Sequence, residues 1–104
     1  MARSFKEFAA EQKATWDEDT KSVYEAASQA FEYEMAERAR LGALLKSFRE
    51  RRSLSQPALA AMADVQQAEI SRIERGASNP TESTIIRLAK ALDVRLTIED
   101  AIPA

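Results

Sequence analysis

The sequence predicts an all-α protein: a compact bundle of helices over residues 38–93, a helical extension before it and one short β-strand after it. Leu41, Leu44, Leu45 and Phe48 recur at i, i+3, i+4 and i+7, the spacing of one apolar helical face. Short segments bounded by capping residues follow this stretch. Only the C-terminal end alternates apolar and polar residues with a period of two.

Composition excludes several classes of function. The chain of 104 residues is long enough for one domain of ordinary size. It contains no Cys and no His, which removes disulfides, thiolate nucleophiles, imidazole catalysis and nearly all zinc sites. Gly42 and Gly76 are the only glycines, so no glycine-rich phosphate loop is present. We therefore expect no enzymatic activity, no catalytic residue, no metal, no cofactor and no small-molecule ligand.

We expect a cytoplasmic location and no contact with a membrane. The longest apolar run, Pro57 to Ala63, is far shorter than a membrane span. The first ten residues, MARSFKEFAA, place charge where a signal peptide has its apolar region.

Charge divides the chain into two regions. Residues 1–37 carry nine acidic and four basic residues, a net charge of −5, whereas residues 38–104 carry eleven basic and eight acidic residues, a net charge of +3. The overall pI near 5.2 averages these two regions. It is therefore a weak argument against nucleic-acid binding by the second one.

The first helix of the bundle includes MAERARLGALLKSFRERR, and a helix that begins near Thr20 is expected to run into it. Gly42 lies inside this pattern, where it costs roughly 1 kcal/mol relative to Ala. It is either a hinge or a point of close contact. Ser55 is the expected N-cap of a second helix, QPALAAMA, in which Pro57 is tolerated in the first turn.

After the turn around Asp64, a third helix is expected from Gln67 to Arg75, ended by Gly76 at a positive φ. Its inward residues are Ile70 and Ile73. Thr81 is the expected N-cap of a fourth helix, whose buried residues are Ile85, Leu88, Ala89 and Leu92.

Residues 94–104 are expected to form a dimerisation strand and tail. Val94, Leu96 and Ile98 alternate with polar residues, which predicts a strand. No other segment of the sequence has this pattern. A lone strand leaves its backbone groups unpaired, so we expect it to pair with a second copy in a homodimer or with the sheet of a partner.

Two short helices joined by a tight turn match the DNA-binding helix-turn-helix, and four residues lie at the offsets that the packing of such a motif requires: Ala60, Val65, Ile70 and Ile73. The segment SLSQPALAAMADVQQAEISRIERGASNPTESTIIRLAKAL resembles the XRE/Cro-type helix-turn-helix family of repressors. The resemblance implies a five-helix, lambda-repressor-like domain over residues 38–93, with an N-terminal helical extension and a short C-terminal β-strand. It also implies binding to double-stranded operator DNA.

The resemblance further assigns roles to single residues. The side chains expected at base edges are Gln67, Ala68 and Arg72. The residues expected at DNA phosphates are Gln56, through its side chain or its backbone N–H, and Gln66, Arg75 and Asn79. Arg49 and Glu74 are expected to form an internal salt bridge.

Three residues depart from the family pattern. Asp64 replaces the turn glycine and can still adopt the left-handed conformation. Gln66 is a poorer cap than the usual Ser or Thr. Glu69 suits the helix dipole of the first turn but repels phosphate, so we expect it either to weaken or to redirect docking on DNA.

The acidic arm, residues 1–37, contains six of the seven aromatic residues of the chain: Phe5, Phe8, Trp16, Tyr24, Phe31 and Tyr33. Charge alone predicts disorder here, whereas the aromatics favour an ordered, partner-binding segment. The layout of the arm and the lead-in VYEAASQAFEYEMAERARLGALLKSFRERR is similar to HigA-type antitoxins. This resemblance implies a small, basic RNA-cleaving toxin of the RelE/HigB-like class as partner. The alternative is an intramolecular lid or a dimer brace.

The predicted function is that of an antitoxin of a type II toxin–antitoxin system that neutralises its toxin through the arm and represses its own operon as a dimer. A stand-alone XRE-family transcriptional repressor is the first alternative. A protein-interaction adaptor that has lost DNA binding is the second, suggested by Glu69.

Overall fold

The computed structural model describes residues 4–103, and within them it contains five α-helices: α1 (Phe5–Ala14), α2 (Glu18–Arg51), α3 (Gln56–Ala63), α4 (Gln67–Glu74) and α5 (Glu82–Ala91). The predicted all-α fold class is confirmed. Two compact units divide the chain, one ending at Glu34 and the other beginning at Met35. Helix α2 begins two residues before Thr20, close to the predicted start, and contributes residues to both units.

The front unit contains α1, which the sequence did not predict as a separate helix. Ser4 caps it: its hydroxyl accepts a hydrogen bond from the Glu7 backbone N–H at 3.1 Å, and the Glu7 carboxylate accepts one from the Ser4 N–H at 3.3 Å. This reciprocal pair is a capping box, and the letters SFKE carry its sequence signature. The signal was therefore present in the sequence.

A short connection joins α1 to α2 within the front unit. The Asp17 carboxylate accepts a hydrogen bond from the Thr20 backbone N–H at 2.7 Å, and this bond lowers the pKa of Asp17 below its usual range. The Trp16 and Tyr24 rings form a T-shaped pair with centroids 5.1 Å apart, and Lys13 Nζ lies 4.0 Å from the centre of the Tyr24 ring. These three side chains connect the end of α1 to the first turns of α2.

The back unit holds the buried core of the described residues. It packs α3 against α4 and α5. Its fully buried large side chains are Leu59, Ile70, Leu88 and Leu92, joined by Leu45, Ala63, Ile73 and Ile85. The predicted inward faces of the third and fourth bundle helices, Ile70 with Ile73 and Ile85 with Leu88, are thus confirmed.

Capping residues set the ends of the short helices as expected. Ser55 accepts from the Ala58 N–H at 3.1 Å and Thr81 from the Thr84 N–H at 3.2 Å. Asp64 adopts the left-handed conformation at φ 55°, and Gly76 has φ 71° just after α4. Gln66 makes no side-chain capping bond, in line with its low rank as a cap.

The C-terminal segment is not a strand: residues 94–100 have no regular secondary structure, although their alternation predicted one. Helix α5 ends in a turn with Asp93 at φ 55°, and the Val94 N–H donates to the Ala89 carbonyl at 2.9 Å. Val94 also packs on the core, while Leu96 is half exposed and Ile98 is almost fully exposed. The alternating pattern identifies an extended segment, but a strand also needs a neighbour to pair with.

Among residues 4–103, no helix combines the length and the apolar character that crossing a lipid bilayer requires.

Candidate DNA-binding surface

The turn between α3 and α4 is built on the left-handed Asp64. Its conformation lets the chain turn from α3 into α4 within three residues, and the Val65 N–H donates to the Ala60 carbonyl at 3.1 Å. Arg87 of α5 donates from Nη1 to the Asp64 carbonyl oxygen at 3.0 Å. The turn is therefore tied to α5 by a charge-assisted hydrogen bond as well as by its own backbone.

The inner face of α4 is in close contact with α2. A Cβ added at Gly42 would lie 2.1 Å from the Ile73 carbonyl oxygen, so only glycine permits this approach of the two backbones. A Cβ at Gly76 would lie 3.0 Å from Ala39 Cα, and the positive φ of Gly76 disfavours any side chain there as well. Gly42 is thus a point of close contact between helices.

An ion pair between α2 and the end of α4 lies beside this contact. Arg49 donates from Nε to Glu74 Oε2 at 2.7 Å and from Nη2 to Oε1 at 2.9 Å. The two side chains are only 12% and 5% exposed. Burial alone would raise the pKa of Glu74, but hydrogen bonds from Arg49 and Gln56 outweigh it and lower the pKa. The hydrogen bonds to Glu74 raise the pKa of Arg49 in turn.

Gln56 belongs to this network. Its Nε2 donates to Glu74 Oε1 at 3.1 Å, so the side chain that was expected at a DNA phosphate is engaged inside the protein. The backbone N–H of Gln56 lies in the first turn of α3, where helical N–H groups have no partner four residues earlier. Of the two expected phosphate donors of Gln56, the backbone N–H is therefore the one that no internal side-chain bond engages.

The outer face of α4 and its flanks are open to solvent. The expected contact residues that are exposed are Gln66, Gln67, Ala68, Arg72, Arg75 and Asn79. An open concavity of about 590 Å³ follows the turn and α4, and its lining includes Gln66, Gln67, Glu69, Arg72, Thr84 and Arg87. It brings Gln66, Gln67 and Arg72 together. Ala68, Arg75 and Asn79 are exposed outside its lining.

Glu69 has two partners in this region. Its Oε1 accepts a hydrogen bond from Ser78 Oγ at 2.7 Å, and its Oε2 accepts one from Arg72 Nη2 at 2.5 Å. These hydrogen bonds, first from Ser78 and then from Arg72, lower the pKa of Glu69, so the carboxylate is ionised at neutral pH. Glu69 is the side chain that connects α4 to the loop after it.

Comparison with family models finds a helix-turn-helix family, HTH_3, that matches residues 45–98, just over half of the chain. The chain belongs to this helix-turn-helix family. Comparison with curated protein sequences gave no match.

Two solved structures resemble this helix-turn-helix protein, each at 32% identity and a TM-score of 0.57. The restriction-modification controller protein C.AhdI from Aeromonas hydrophila matches over 58% of this chain and 91% of its own. An HTH_3 family transcriptional regulator from Vibrio cholerae matches over 60% of this chain and 35% of its own, so the likeness spans about a third of that regulator. The protein is thus similar to HTH_3-type transcriptional regulators.

Sequence reasoning missed three residues of the helix-turn-helix surface: Ser78, Thr84 and Arg87. Thr84 and Arg87 line the concavity from α5, and Ser78 binds Glu69 from the loop. The local pattern marks all three only as polar positions between buried ones. The contacts of Ser78 and Arg87 join residues 9 and 23 positions apart, which no helical or strand period encodes.

The aromatic residues of the arm separate into two groups. Trp16 and Tyr24 contact each other, whereas four others are exposed, from 48% for Phe8 to 85% for Phe5: Phe5, Phe8, Phe31 and Tyr33. These four are the most exposed rings of the expected partner-binding set, and Tyr24 is also 39% exposed. Trp16 and Tyr24 act first as the connection between α1 and α2.

Proposed function

We propose that this protein binds double-stranded operator DNA as a homodimer and represses transcription. In this proposal α4 enters the major groove, and Gln67, Ala68 and Arg72 contact base edges. The supporting observation is the division of α4 into two faces. Its inner face is fixed by Gly42, Ile70 and Ile73, and its outer face presents the expected contact residues to solvent.

Phosphate contacts surround this outer face in the proposal. They come from Gln66, Arg75 and Asn79, from the backbone at Gln56, and from Arg87, which the sequence did not suggest. Arg87 binds the Asp64 carbonyl through one of its N–H groups. Arginine has five N–H donors, so others remain for a phosphate.

Binding of the full-length protein to the DNA upstream of its own gene tests this proposal. In gel shifts against a scrambled fragment of equal length, we expect preference for the upstream fragment and a steep loss of affinity as salt rises. Equal affinity for the two fragments at every salt concentration would contradict operator binding.

For the homodimer we propose that the C-terminal segments of two copies associate through Leu96 and Ile98, with Val94 fixing where each segment leaves the core. Leu96 is 46% and Ile98 is 96% exposed, and the backbone between them lacks strand partners among the described residues. Two recognition helices about 34 Å apart then match successive major grooves. We expect a dimer in sedimentation at micromolar concentration and a monomer for Leu96→Ser/Ile98→Ser. A wild-type monomer would contradict this assignment.

The acidic arm, we further propose, binds and neutralises a small basic toxin of the RelE/HigB-like class. Exposed aromatic side chains serve as anchors for a protein interface, and acidic residues accelerate encounter with a basic partner. The arm has both features: five of its six aromatic side chains are exposed, and residues 1–37 carry a net charge of −5.

Co-expression with a neighbouring basic protein tests whether the arm neutralises a toxin. If the reading frame beside the gene encodes a basic protein that arrests growth, we expect the full-length chain to restore growth and the Phe31→Ala/Tyr33→Ala variant to fail, while both bind upstream DNA equally. Gln29→Ala, an exposed position on α2, is the control. Full neutralisation by the double aromatic variant would refute partner binding through these rings.

A stand-alone transcriptional regulator is the second candidate, favoured by the likeness to a restriction-modification controller protein. It differs from the antitoxin in needing no toxin, so upstream DNA binding without any effect on a neighbouring toxin supports it. A protein adaptor without DNA binding was the third hypothesis, motivated by Glu69. Absence of DNA binding even at low salt would favour it.

A further inference from the structure

Glu69 is an acidic residue on the surface that the proposed function turns toward DNA. A carboxylate there repels phosphate, so it lowers the affinity of any binding that depends on attraction to the charged DNA backbone. Its position is the third of α4, where a Glu commonly reaches back to the N-terminal backbone. Here its two oxygens accept hydrogen bonds from Ser78 and Arg72.

The Glu69 side chain is held more firmly than the Arg72 side chain. Its side chain is 24% exposed, against 50% for Arg72, and Ser78 holds its second oxygen from the loop. Arg72 is otherwise a long, half-exposed side chain, which loses considerable rotamer entropy when it is ordered. The contact with Glu69 through Nη2 removes part of that freedom in the free protein and leaves other N–H donors of the guanidinium available.

We propose that Glu69, anchored by Ser78, is a positioning residue for Arg72 that raises the preference of this protein for its operator over unrelated DNA. The inference rests on the proposed function. Two effects act together: Glu69 weakens binding driven by phosphate alone, and it holds Arg72 in a limited set of orientations from which a base edge can be reached. Both effects widen the ratio between specific and non-specific affinity.

The test measures that ratio for the full-length protein with the upstream fragment and a scrambled fragment. For Glu69→Gln we expect non-specific affinity to rise about 3- to 10-fold while specific affinity stays level or falls, so that the ratio drops by at least about 3- to 10-fold. Ser78→Ala keeps the carboxylate charge and releases its anchor. We expect it to lower specific affinity and leave non-specific affinity unchanged.

Glu82→Gln is the charge-matched control, since Glu82 lies exposed in the first turn of α5 and does not line the concavity around Arg72. It removes the same charge and should leave the ratio unchanged. A merely structural role of Glu69 would lower the melting temperature of its variants without changing the ratio.

Three results would overturn the inference. An unchanged ratio in Glu69→Gln would refute it alone, because operator preference of the wild-type protein would stand. An equal change in Glu82→Gln would show a general charge effect and would also refute it. Lack of any preference by the wild-type protein would refute the proposed function and this inference together.

Discussion

The two compact units of the chain use their large apolar side chains in opposite ways. The unit that begins at Met35 encloses Leu59, Ile70, Leu88 and Leu92 almost completely, whereas none of residues 4–34 is buried. In the front unit, Phe5, Phe31 and Tyr33 are 61–85% exposed. The large apolar side chains of the back unit are thus accounted for by packing in its core. Exposed aromatic surface, by contrast, is typical of an interaction site. Stability should therefore respond to mutation of the core in the back unit, and the proposed binding of a partner protein to mutation of the exposed rings in the front unit.

The largest difference in the free energy of unfolding is expected between the Leu59→Ala and Phe31→Ala variants. Leu59 is 1% exposed in the core, so its truncation should lower the free energy of unfolding by about 4 kcal/mol. Phe31 is 61% exposed, and its truncation should leave the main unfolding transition in place. Denaturant unfolding followed by circular dichroism measures both. Equal destabilisation by the two variants would break the contrast between the units.

The next largest effect on stability is expected for Gly42→Ala. Its Cβ would approach the Ile73 carbonyl oxygen to 2.1 Å, so α2 and α4 must separate, and we expect a loss of about 3 kcal/mol. Ala43→Ser, at the exposed neighbouring position, is the control and should change stability little. A Gly42→Ala protein as stable as the wild type would show that α4 is not fixed by this contact.

Glu74→Gln should destabilise by about 2 kcal/mol at neutral pH, because it leaves the largely buried Arg49, whose side chain is 12% exposed, without a charged partner. The pKa of Glu74 is lower in the folded protein than in the unfolded chain, so the ion pair stabilises fully above the unfolded pKa, and this stabilisation is lost as pH falls through the folded pKa. The stability difference between wild type and variant should therefore shrink as pH is lowered from 7 toward 3. A difference that stays constant over this range would contradict the assignment.

The smallest effect is expected for Trp16→Ala. It removes the ring that contacts Tyr24 between α1 and α2, so amides of α1 should exchange hydrogen faster while the main unfolding transition stays unchanged. Phe5→Ala, which removes a ring that is 85% exposed, should not alter exchange. Unaltered exchange in Trp16→Ala would show that this ring pair does not hold α1.

The sequence was sufficient for the elements that local chemistry defines. Ser55 and Thr81 as caps, Asp64 and Gly76 as left-handed residues, and the inward positions of Ile70 all follow from near neighbours in the chain. The long helix α2 also follows from its apolar period. Helix α1 was missed although its capping box at Ser4 and Glu7 is visible in the letters.

The rest depends on groups distant in sequence. No local pattern states that Gly42 meets the Ile73 carbonyl, that Ser78 binds Glu69, or that Gln56 binds Glu74. The prediction of a C-terminal strand was wrong for a related reason. Alternation at Leu96 and Ile98 indicates an extended chain, whereas strand pairing requires a second segment.

Binding of the upstream DNA fragment by Gln67→Ala/Arg72→Ala tests the central claim most directly, that the exposed face of α4 contacts bases. Gln29→Ala/Lys90→Ala is the control, because it also removes one glutamine and one basic residue, from exposed positions outside the concavity. We predict that the first pair lowers specific affinity at least about 100-fold and the control pair by less than about twofold. Specific affinity of the first pair equal to that of the control would contradict the account.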